Sequence, residues 1–460
     1  MKRLFSTLAV IAVLSLVVFQ GFQCGSPEFT GAKLQIQQKN YPEAVRLLEA
    51  EVAKNPSNAE AWYLLGYIQS EQNNVEGMDR AFSEAQKLSQ EHAAEIKSIR
   101  QYQWGRHLNA GVGFLEKGSP DSLEYFTQAL AEFKTAAVAW PDTSLTHRYI
   151  GYAYANAGKD DEAIAAYTKA WQIGKDLDAY KRVALIHINR GNDFKTKFEA
   201  ENSEMLKVNA SLGSIRKNMP KDELVRALGG PDQIRKGARN TKQEGYLYNK
   251  YNLTVNLDND KVVSTTYSRP YVPSIDSTNY KKALKEYTAA ITMLTEARDY
   301  SPKDNETLRL LLQAYVGADQ IEPAIKEFRK ELASDPNNAM NHYILGVLLR
   351  SAGDFKGAAE EFQASYTLDA TNTDALFDLG ATYYNWGVDV LRKAEEKGET
   401  TTLHKEKFQL ALPHMEKYSE LKPDEARVWE TLGTIYAQLG MQEKAIQAFD
   451  KSDKLRQGTP

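Results

Sequence analysis

The sequence predicts a mainly α-helical protein in which helical hairpins stack on one another, with one small α+β domain inserted among them. Three observations support this prediction. A pattern of small and apolar residues returns every 34 residues over much of the chain. The stretch YNLTVNLDNDKVVSTTY (251–267) alternates apolar and polar residues on both sides of a turn, which is typical of a β-hairpin. A length of 460 residues also exceeds what one ordinary hydrophobic core accommodates.

Residues 1–23 are predicted to be a secretory signal peptide, since Lys2 and Arg3 precede the apolar run LFSTLAVIAVLSLVVF. Cys24, the only cysteine, follows this run. The arrangement resembles the signal of bacterial lipoproteins, which implies lipid attachment at Cys24 and an outer-membrane lipoprotein of the bacterial cell envelope that faces the periplasm. Residues 21–23 (GFQ) depart from the usual Leu, small residue, Gly or Ala. An ordinary cleaved signal and an uncleaved apolar anchor therefore remain alternatives.

The recurring pattern describes a helix-turn-helix unit. Its clearest copies are WYLLGYIQ (62–69), HRYIGYAYANAGKDDEAIAAYTKA (147–170), HYILGVLLRSAGDFKGAAEEFQAS (342–365) and WETLGTIYAQLGMQEKAIQAFDKS (429–452). A marker residue that opens each second helix sets the register, at Ala44, Met78, Ala129, Ala163, Ala290, Ala324, Ala358, Ala411 and Ala445. Five of the eight steps are 34 residues, and the others are 51, 127 and 53. Proline follows twelve residues after five markers and is expected to end the second helix, at Pro56, Pro141, Pro302, Pro336 and Pro423.

This pattern resembles the tetratricopeptide repeat (TPR), W-x₂-L-G-x₂-Y…A-x₃-F…P, and gives nine repeats. The resemblance implies a TPR α-solenoid superhelix with an N-terminal array at 24–204 and a C-terminal array at 271–460. Glycines on the first helices, such as Gly66 and Gly346, are expected to let the paired helices approach closely, while aromatic residues such as Phe362 fill the space between layers.

The three long steps correspond to enlarged repeats. Each carries a related phrase near the end of its first helix: NAGVG (109–113), NRGND (189–193) and NWGVD (385–389). An ordinary repeat turns at this point, whereas these sequences continue in a helical pattern. We therefore expect three long first helices that project from the solenoid.

The longest step contains residues 205–270, which are predicted to form the inserted α+β domain. NMPKDELVRALGGPD (218–232) predicts a short helix that ends at Gly229. A basic loop follows, and GYLYNKYNLTVNLDNDKVVSTTY (245–267) predicts two or three strands.

This segment resembles the SmpA/OmlA-type lipoprotein domain of the outer-membrane β-barrel assembly machine. That family has the pattern G-M-T-x-x-[EQ]-V-x-x-x-[LI]-G-x-P, then W-x-Y, then a hairpin with D-G-K-V. The matching positions are Met219, Leu224, Leu228, Gly229, Pro231, Tyr246 to Tyr248 and Asp260 to Val262. Asn218, Pro220 and Tyr246 stand where the family has Gly, Thr and Trp. The resemblance implies contact with protein partners and anionic lipid; the alternative is an unrelated insertion in an exposed loop.

Charge distinguishes the insert from the repeats. It has 12 Lys and Arg against 6 Asp and Glu, while the remaining residues after Cys24 have 43 against 55. Arg235, Lys236, Arg239 and Lys242 cluster in the predicted basic loop, where they would meet anionic lipid head groups or an acidic partner. A solvated loop without a specific contact is the third interpretation.

The sequence contains no recognisable catalytic or metal-binding pattern. The seven histidines form no pair at metal-ligand spacing, and His147 and His342 occupy the Trp position of the repeat, which predicts packing. A net charge of −4 does not give the basic footprint of a nucleic-acid-binding protein. We therefore expect no enzyme, no cofactor, no metal, no nucleic acid and no small-molecule substrate.

The first helices of a TPR solenoid line its concave face, which is where a protein or peptide partner is expected. The predicted groove residues are Tyr63, Tyr67, Arg148, Tyr152, Asn156, Arg309, Gln313, Tyr343, Arg350, Phe377, Tyr384 and Asn385. Tyr and Arg frequently anchor interfaces. The Lys, Asn and Arg set with which chaperone-adaptor TPR proteins clamp a terminal carboxylate is absent at these positions, which disfavours an EEVD-type peptide.

These features predict a membrane-anchored periplasmic scaffold for protein-protein interaction, held by an N-terminal lipid anchor, in outer-membrane or envelope assembly. An adaptor that recruits a cell-wall or polysaccharide export enzyme is one alternative. A purely structural lipoprotein, whose insert spaces the repeats, is another.

Overall fold

A computed structural model describes residues 26–239 and 241–457. This part is mainly helical, with 20 α-helices and one four-stranded sheet. The chain divides into two compact units between Val183 and Ala184. The predicted signal peptide and Cys24 lie outside the described residues. Within the described part, no helix combines the length and the apolar character needed to cross a membrane.

The N-terminal unit contains four helical hairpins in its described residues. Their first helices are α1 (Pro27–Gln37), α3 (Ala59–Glu71), α5 (Ala93–Leu115) and α7 (Ser144–Asn156). Their second helices are α2 (Tyr41–Lys54), α4 (Val75–Leu88), α6 (Leu123–Ala139) and α8 (Asp160–Gly174).

The C-terminal unit contains five hairpins in its described residues. Their first helices are α9 (Leu177–Glu201, which begins before the division), α13 (Asn305–Gly317), α15 (Ala339–Ser351), α17 (Thr373–Lys397) and α19 (Ala426–Gln438). Their second helices are α12 (Thr278–Tyr300), α14 (Ile321–Ser334), α16 (Phe355–Leu368), α18 (Leu403–Leu421) and α20 (Gln442–Gln457). The insert lies between α9 and α12, the two helices of one hairpin.

The predicted register of the repeats is confirmed. All nine marker residues lie near the start of a second helix or within it and are buried; Ala445, at 5% exposure, is the most accessible of them. In the ordinary repeats, four glycines on first helices (Gly66, Gly151, Gly346 and Gly433) face an aromatic ring on the paired second helix. An added methyl group would lie 2.8 Å from the Phe362 ring at Gly346 and 2.7 Å from the Phe449 ring at Gly433. The absence of a side chain therefore sets how closely these helices pack.

Local sequence fixes the helix ends. Asn58, Asn74, Asp304, Asn338, Asp354 and Asn372 each accept a hydrogen bond from the backbone N–H three residues further on. These side chains satisfy N–H groups that lack a partner inside the helix. The five prolines predicted to end second helices each lie two residues past the last helical residue, as Pro336 does after Ser334.

Three first helices are long, as predicted: α5 has 23 residues and α9 and α17 have 25 each, against 13 in α3, α7, α13, α15 and α19. α9 and α17 continue well past their NRGND and NWGVD phrases. The prediction is wrong for α5, which ends at Leu115, two residues after NAGVG. The chain turns at Glu116 and Lys117, and the helix-breaking residues Gly118 and Pro120 follow. Its additional residues lie at its start.

The enlarged hairpins contain further glycine–aromatic contacts. In the hairpin of α17 and α18, Gly380 faces Met415 and Gly387 faces Phe408. Gly387 lies seven residues after Gly380 on α17, and Phe408 lies seven residues before Met415 on the antiparallel helix α18. Added methyl groups there would lie 2.9 and 2.7 Å from these side chains. Seven residues are about two helical turns, so this hairpin repeats its own packing two turns further along. Tyr287 fills the corresponding space against Gly191 in the hairpin of α9 and α12.

The insert contains two short helices, α10 (Ser203–Gly213) and α11 (Lys221–Leu228), and an antiparallel sheet of order β1-β2-β3-β4. The strands are β1 (Gln233–Lys236), β2 (Gln243–Tyr248), β3 (Leu253–Asp258) and β4 (Lys261–Tyr267). The predicted hairpin is confirmed: Asp258 pairs with Lys261, and the two turn residues Asn259 and Asp260 both have positive φ, as a two-residue hairpin turn of type I′ requires.

The insert has a hydrophobic cluster of its own. Tyr246 and Tyr248 of β2, Leu253, Val255 and Leu257 of β3, and Val262 of β4 pack with Met219 and Leu224. One prediction is wrong here: Arg235 and Lys236 lie on β1 rather than in a loop, because residues 233–236 pair with 244–247 of β2. Arg239 and Lys242 lie in the connection between these strands.

The extended end of α17 contacts the insert. The Asn218 side-chain amide donates to the Glu396 carbonyl oxygen at 3.0 Å, and Arg216 lies 3.9 Å from the Glu396 carboxylate. Asn218 adopts φ +67°, a left-handed conformation that Gly and Asn tolerate best. The additional turns of α17 therefore support the inserted segment.

We expect Gly66→Ala to destabilise the protein by about 1–3 kcal/mol, because the new methyl group would overlap the Phe82 ring. Gly105→Ala, in α5, is the matched control: nothing lies within 4 Å, so the gain in helix propensity should stabilise by up to about 1 kcal/mol. Urea denaturation followed by circular dichroism measures both. Equal effects of the two substitutions would contradict the close-packing role of Gly66.

Candidate protein-binding face

The first helices of the C-terminal unit carry a polar cluster around Asp378 of α17. Arg350 Nη1 donates to Asp378 Oδ1 at 2.6 Å, and the Tyr343 hydroxyl donates to Asp378 Oδ2 at 3.0 Å. The Asp378 side chain is 13% exposed. Both donors come from α15, so this carboxylate connects two consecutive first helices. Sequence reasoning found the donors and missed the acceptor, because the pairing depends on how neighbouring repeats stack.

A second ion pair links more distant first helices. Arg309 of α13 lies 3.6 Å from the carboxylate of Asp374 of α17, and both side chains are 52% exposed. α15 lies between these helices in the repeat order. The first helices of three consecutive repeats therefore share one surface, to which Arg309, Tyr343, Arg350, Asp374 and Asp378 contribute; we call it the first-helix face.

Electrostatics keeps Tyr343 a hydrogen-bond donor. Burial raises the pKa of its hydroxyl, and the adjacent Asp378 carboxylate raises this pKa further. The neutral phenol therefore persists across the physiological pH range and fixes the position of the carboxylate.

Two predicted groove residues pack between helices instead of offering free rings. Phe377 lies 5.1 Å from the Tyr418 ring of α18, and the Arg427 guanidinium lies 4.4 Å from the Phe377 ring centroid. Tyr384 lies 5.6 Å from the buried Phe408 ring. These contacts resemble aromatic and cation–π packing in protein interiors.

Gln313 and Asn385 differ from the other predicted residues of this unit. Both are exposed, and neither side chain forms a hydrogen bond within the described part of the chain. Arg309 is exposed as well, and so is Asp374, which the sequence analysis did not predict as a groove residue. These four side chains are accessible to a partner.

In the N-terminal unit, the predicted groove residues are mostly engaged with their neighbours. Arg148 Nη1 lies 3.1 Å from the Asp176 carboxylate, and Asn156 donates to the Tyr152 carbonyl oxygen at 2.8 Å. Tyr63 stacks on His92 with 3.8 Å between the ring centroids. Burial raises the pKa of Tyr67 to about 12.

Tyr152 is the central ring of an aromatic group in the same unit. Its ring packs edge-on against Tyr149 and Tyr167, and the Arg182 guanidinium lies 4.5 Å from its centroid. Tyr152 remains partly exposed beside these contacts.

The histidines at the Trp position of the repeat make packing contacts. The indole N–H groups of Trp62 and Trp429 donate to the carbonyl oxygens of Pro56 and Pro423, at 2.9 and 2.8 Å. His342 Nε2 reaches the carbonyl oxygen of Pro336 in the same way, at 2.9 Å. His147 is buried, and burial lowers its pKa to about 4. No group of three potential ligands for a metal ion occurs in residues 26–239 and 241–457.

The four predicted cations of the insert are brought together and exposed. Arg235 and Lys236 follow one another on β1, and Arg239 and Lys242 lie in the adjoining connection. Within the described residues, none of the four forms an ion pair with a carboxylate. They concentrate positive charge at the end of the first two strands, with Arg235 and Lys236 on opposite faces of the sheet.

Stacked helical hairpins with a 34-residue period define the class of tetratricopeptide-repeat proteins. Models of the tetratricopeptide repeat match residues 29–88, 121–177, 309–375 and 426–459. The chain therefore contains tetratricopeptide repeats, as predicted. The matched ranges leave out almost all of the three long first helices and the insert, where the 34-residue period is broken.

Several known proteins are similar to this chain at low identity. TPR repeat-containing protein MJ1428 of Methanocaldococcus jannaschii is 21% identical over 426 residues, which are 91% of this chain and 68% of that protein. Type IV pilus assembly protein PilF of Pseudomonas aeruginosa is 27% identical over 146 residues, 32% of this chain and 51% of that protein. Superkiller protein 3 of Schizosaccharomyces pombe is 26% identical over 157 residues, 29% of this chain and 11% of that protein.

Among solved structures, the crystal structure of MamA is similar. It is 22% identical, with a TM-score of 0.29, and the match covers 40% of this chain and 97% of that chain.

We expect Asp378→Ala to destabilise the protein by about 1–3 kcal/mol, since Arg350 and Tyr343 would each lose an acceptor in a largely buried setting. Asp374→Ala removes an exposed carboxylate and should cost less than about 1 kcal/mol. Urea denaturation of both variants makes the comparison. A larger effect at Asp374 than at Asp378 would contradict the central position of Asp378.

Proposed function

We propose that this chain is a non-catalytic scaffold that holds a protein partner on the first-helix face of its C-terminal unit. TPR proteins act as protein-protein interaction scaffolds, and the repeats supply the rigid framework for such a surface. Asp378 supports the proposal most directly, because it fixes Arg350 and Tyr343 before any partner arrives. A surface that is ordered in advance loses less conformational entropy on binding.

The partner would meet a polar surface with both signs of charge. Arg309, Gln313, Asp374 and Asn385 are exposed and can exchange hydrogen bonds with a peptide or a helix. Arg427 adds a further exposed guanidinium over Phe377. An extended peptide or an amphipathic helix with both acidic and basic side chains fits this distribution.

We further propose that the scaffold acts at a bacterial membrane, in outer-membrane or envelope assembly. The apolar segment before Cys24 supports export and lipid attachment. The insert supports the resemblance to SmpA/OmlA-type domains: Asn218, where that family has Gly, adopts the positive φ that favours Gly. PilF, which is 27% identical to this chain over 146 residues, is named as a pilus assembly protein.

Site-specific photo-crosslinking tests the first-helix face. A photoreactive residue at Gln313 or Asn385 should crosslink one and the same partner in the native host, while matched exposed positions on second helices, Lys330 and Gln363, should not. Arg309→Glu should weaken the crosslinks at Gln313. Equal crosslinking from second-helix positions, or none from the first helices, would contradict the proposal.

The identity of the crosslinked partner distinguishes the two roles. Recovery of barrel-assembly components would indicate outer-membrane assembly, and recovery of glycan-synthesis enzymes would indicate the alternative adaptor role.

Metabolic labelling with a radioactive fatty acid tests the anchor. We expect the wild-type chain to be labelled and to sediment with membranes, because acyl chains contribute about 0.8 kcal/mol per buried CH₂. Cys24→Ala should be unlabelled. An unlabelled wild-type protein would contradict lipid attachment and leave the first-helix face untouched.

A further inference from the structure

β1 forms an open edge of the sheet in the insert. Its neighbour on one side is β2, and in the described residues no strand lies on the other side. All four residues of β1 are exposed. β4, at the opposite edge, is partly covered, since the Val262 N–H donates to the Met219 carbonyl oxygen at 3.0 Å and the Val262 carbonyl oxygen accepts from Asn218 N–H at 2.8 Å. An uncovered edge offers backbone N–H and C=O groups to another strand.

The side chains of β1 give this edge a definite chemistry. Ile234 pairs with Tyr246 and Lys236 with Glu244, so they share one face of the sheet, and Arg235, opposite Gly245, lies on the other face. Ile234 is 51% exposed although the neighbouring Tyr246 is buried. The edge therefore presents one exposed apolar side chain, Ile234, followed by Arg235 on one face of the sheet and Lys236 on the other.

Charge at this edge is not neutralised within the described part of the chain. Glu244 pairs with Lys236 in the strand register. Its carboxylate, however, lies 2.8 Å from Nζ of Lys221 on α11 and forms its ion pair there. Arg239 and Lys242 extend the positive charge into the connection after β1. A complementary ligand for this edge is acidic.

We propose that β1 is the docking site of an acidic, extended segment of a partner protein, which joins the sheet as a fifth strand. The residue beside Ile234 would be apolar, and those beside Arg235 and Lys236 would be acidic. Backbone hydrogen bonds supply affinity in such strand addition, and the flanking side chains supply specificity. This surface lies on the insert and is separate from the first-helix face.

The open edge favours a strand over a membrane surface as the ligand. The sequence of residues 237–242 is GARNTK, without an aromatic or large aliphatic side chain to enter a bilayer. The exposed apolar residue is Ile234, within the strand, where an incoming strand would pack.

Fluorescence anisotropy with the full-length protein tests this proposal. The probe is a labelled peptide, Ser-Val-Glu-Asp-Val-Thr. Two further versions carry methyl groups on every second backbone nitrogen, one version on the odd-numbered and the other on the even-numbered residues. We expect the parent peptide to bind, and one methylated version to bind about tenfold more weakly, because strand addition uses every second N–H group. Arg235→Glu with Lys236→Glu should weaken binding of the parent peptide at least about tenfold, and the control Lys217→Glu with Lys250→Glu, which has the same net charge, less than about twofold.

Three results would overturn the proposal. Equal binding of the parent and both methylated peptides would show that charge alone is recognised. Equal loss in the two charge-reversal variants would show that binding is not localised at β1. The third result is that the protein binds phosphatidylglycerol vesicles but not the peptide, and that only the Arg235→Glu and Lys236→Glu variant loses vesicle binding. This result would assign the surface to a membrane. The peptide comparison uses the wild-type protein and so does not depend on how the variants fold.

Discussion

The close approach of paired helices, made through a glycine that faces a large side chain, determines the geometry on which the rest of the structure depends. Gly346 and Phe362 show it in an ordinary repeat, and Gly151 and Tyr167 in another. Since the ring fills the space that a side chain would occupy, the spacing of the two helices is set by packing density. Stacking such hairpins places their first helices side by side, and this brings Asp378 to its donors on the preceding first helix.

The same interaction explains how the repeats tolerate enlargement. Gly387 and Phe408 repeat the contact two turns beyond Gly380 and Met415, so the hairpin lengthens without a change in helix spacing. The additional turns of α17 reach Asn218 of the insert. A long hairpin therefore serves as the support for a segment that has its own small hydrophobic cluster.

The features predicted correctly from the sequence are those that local chemistry specifies. The marker residues, the prolines after second helices and the turn at Asn259 and Asp260 each depend on residues close in the chain. β1 was missed because QIRK has a single apolar residue and gains its strand conformation from pairing with β2. Asp378 was missed because its donors lie 28 and 35 residues away, and their positions follow from stacking. The start of α5 was missed because the repeat pattern does not cover it.

A double-mutant cycle at Gly346 and Phe362 tests the central contact most directly. Gly346→Ala alone should destabilise, because its methyl group meets the Phe362 ring, and the smaller side chain of Phe362→Leu should relieve that clash. The account predicts that the double variant loses less stability than the sum of the single variants, with a coupling free energy of about 1 kcal/mol or more. Additive losses, within about 0.3–0.5 kcal/mol, would contradict it.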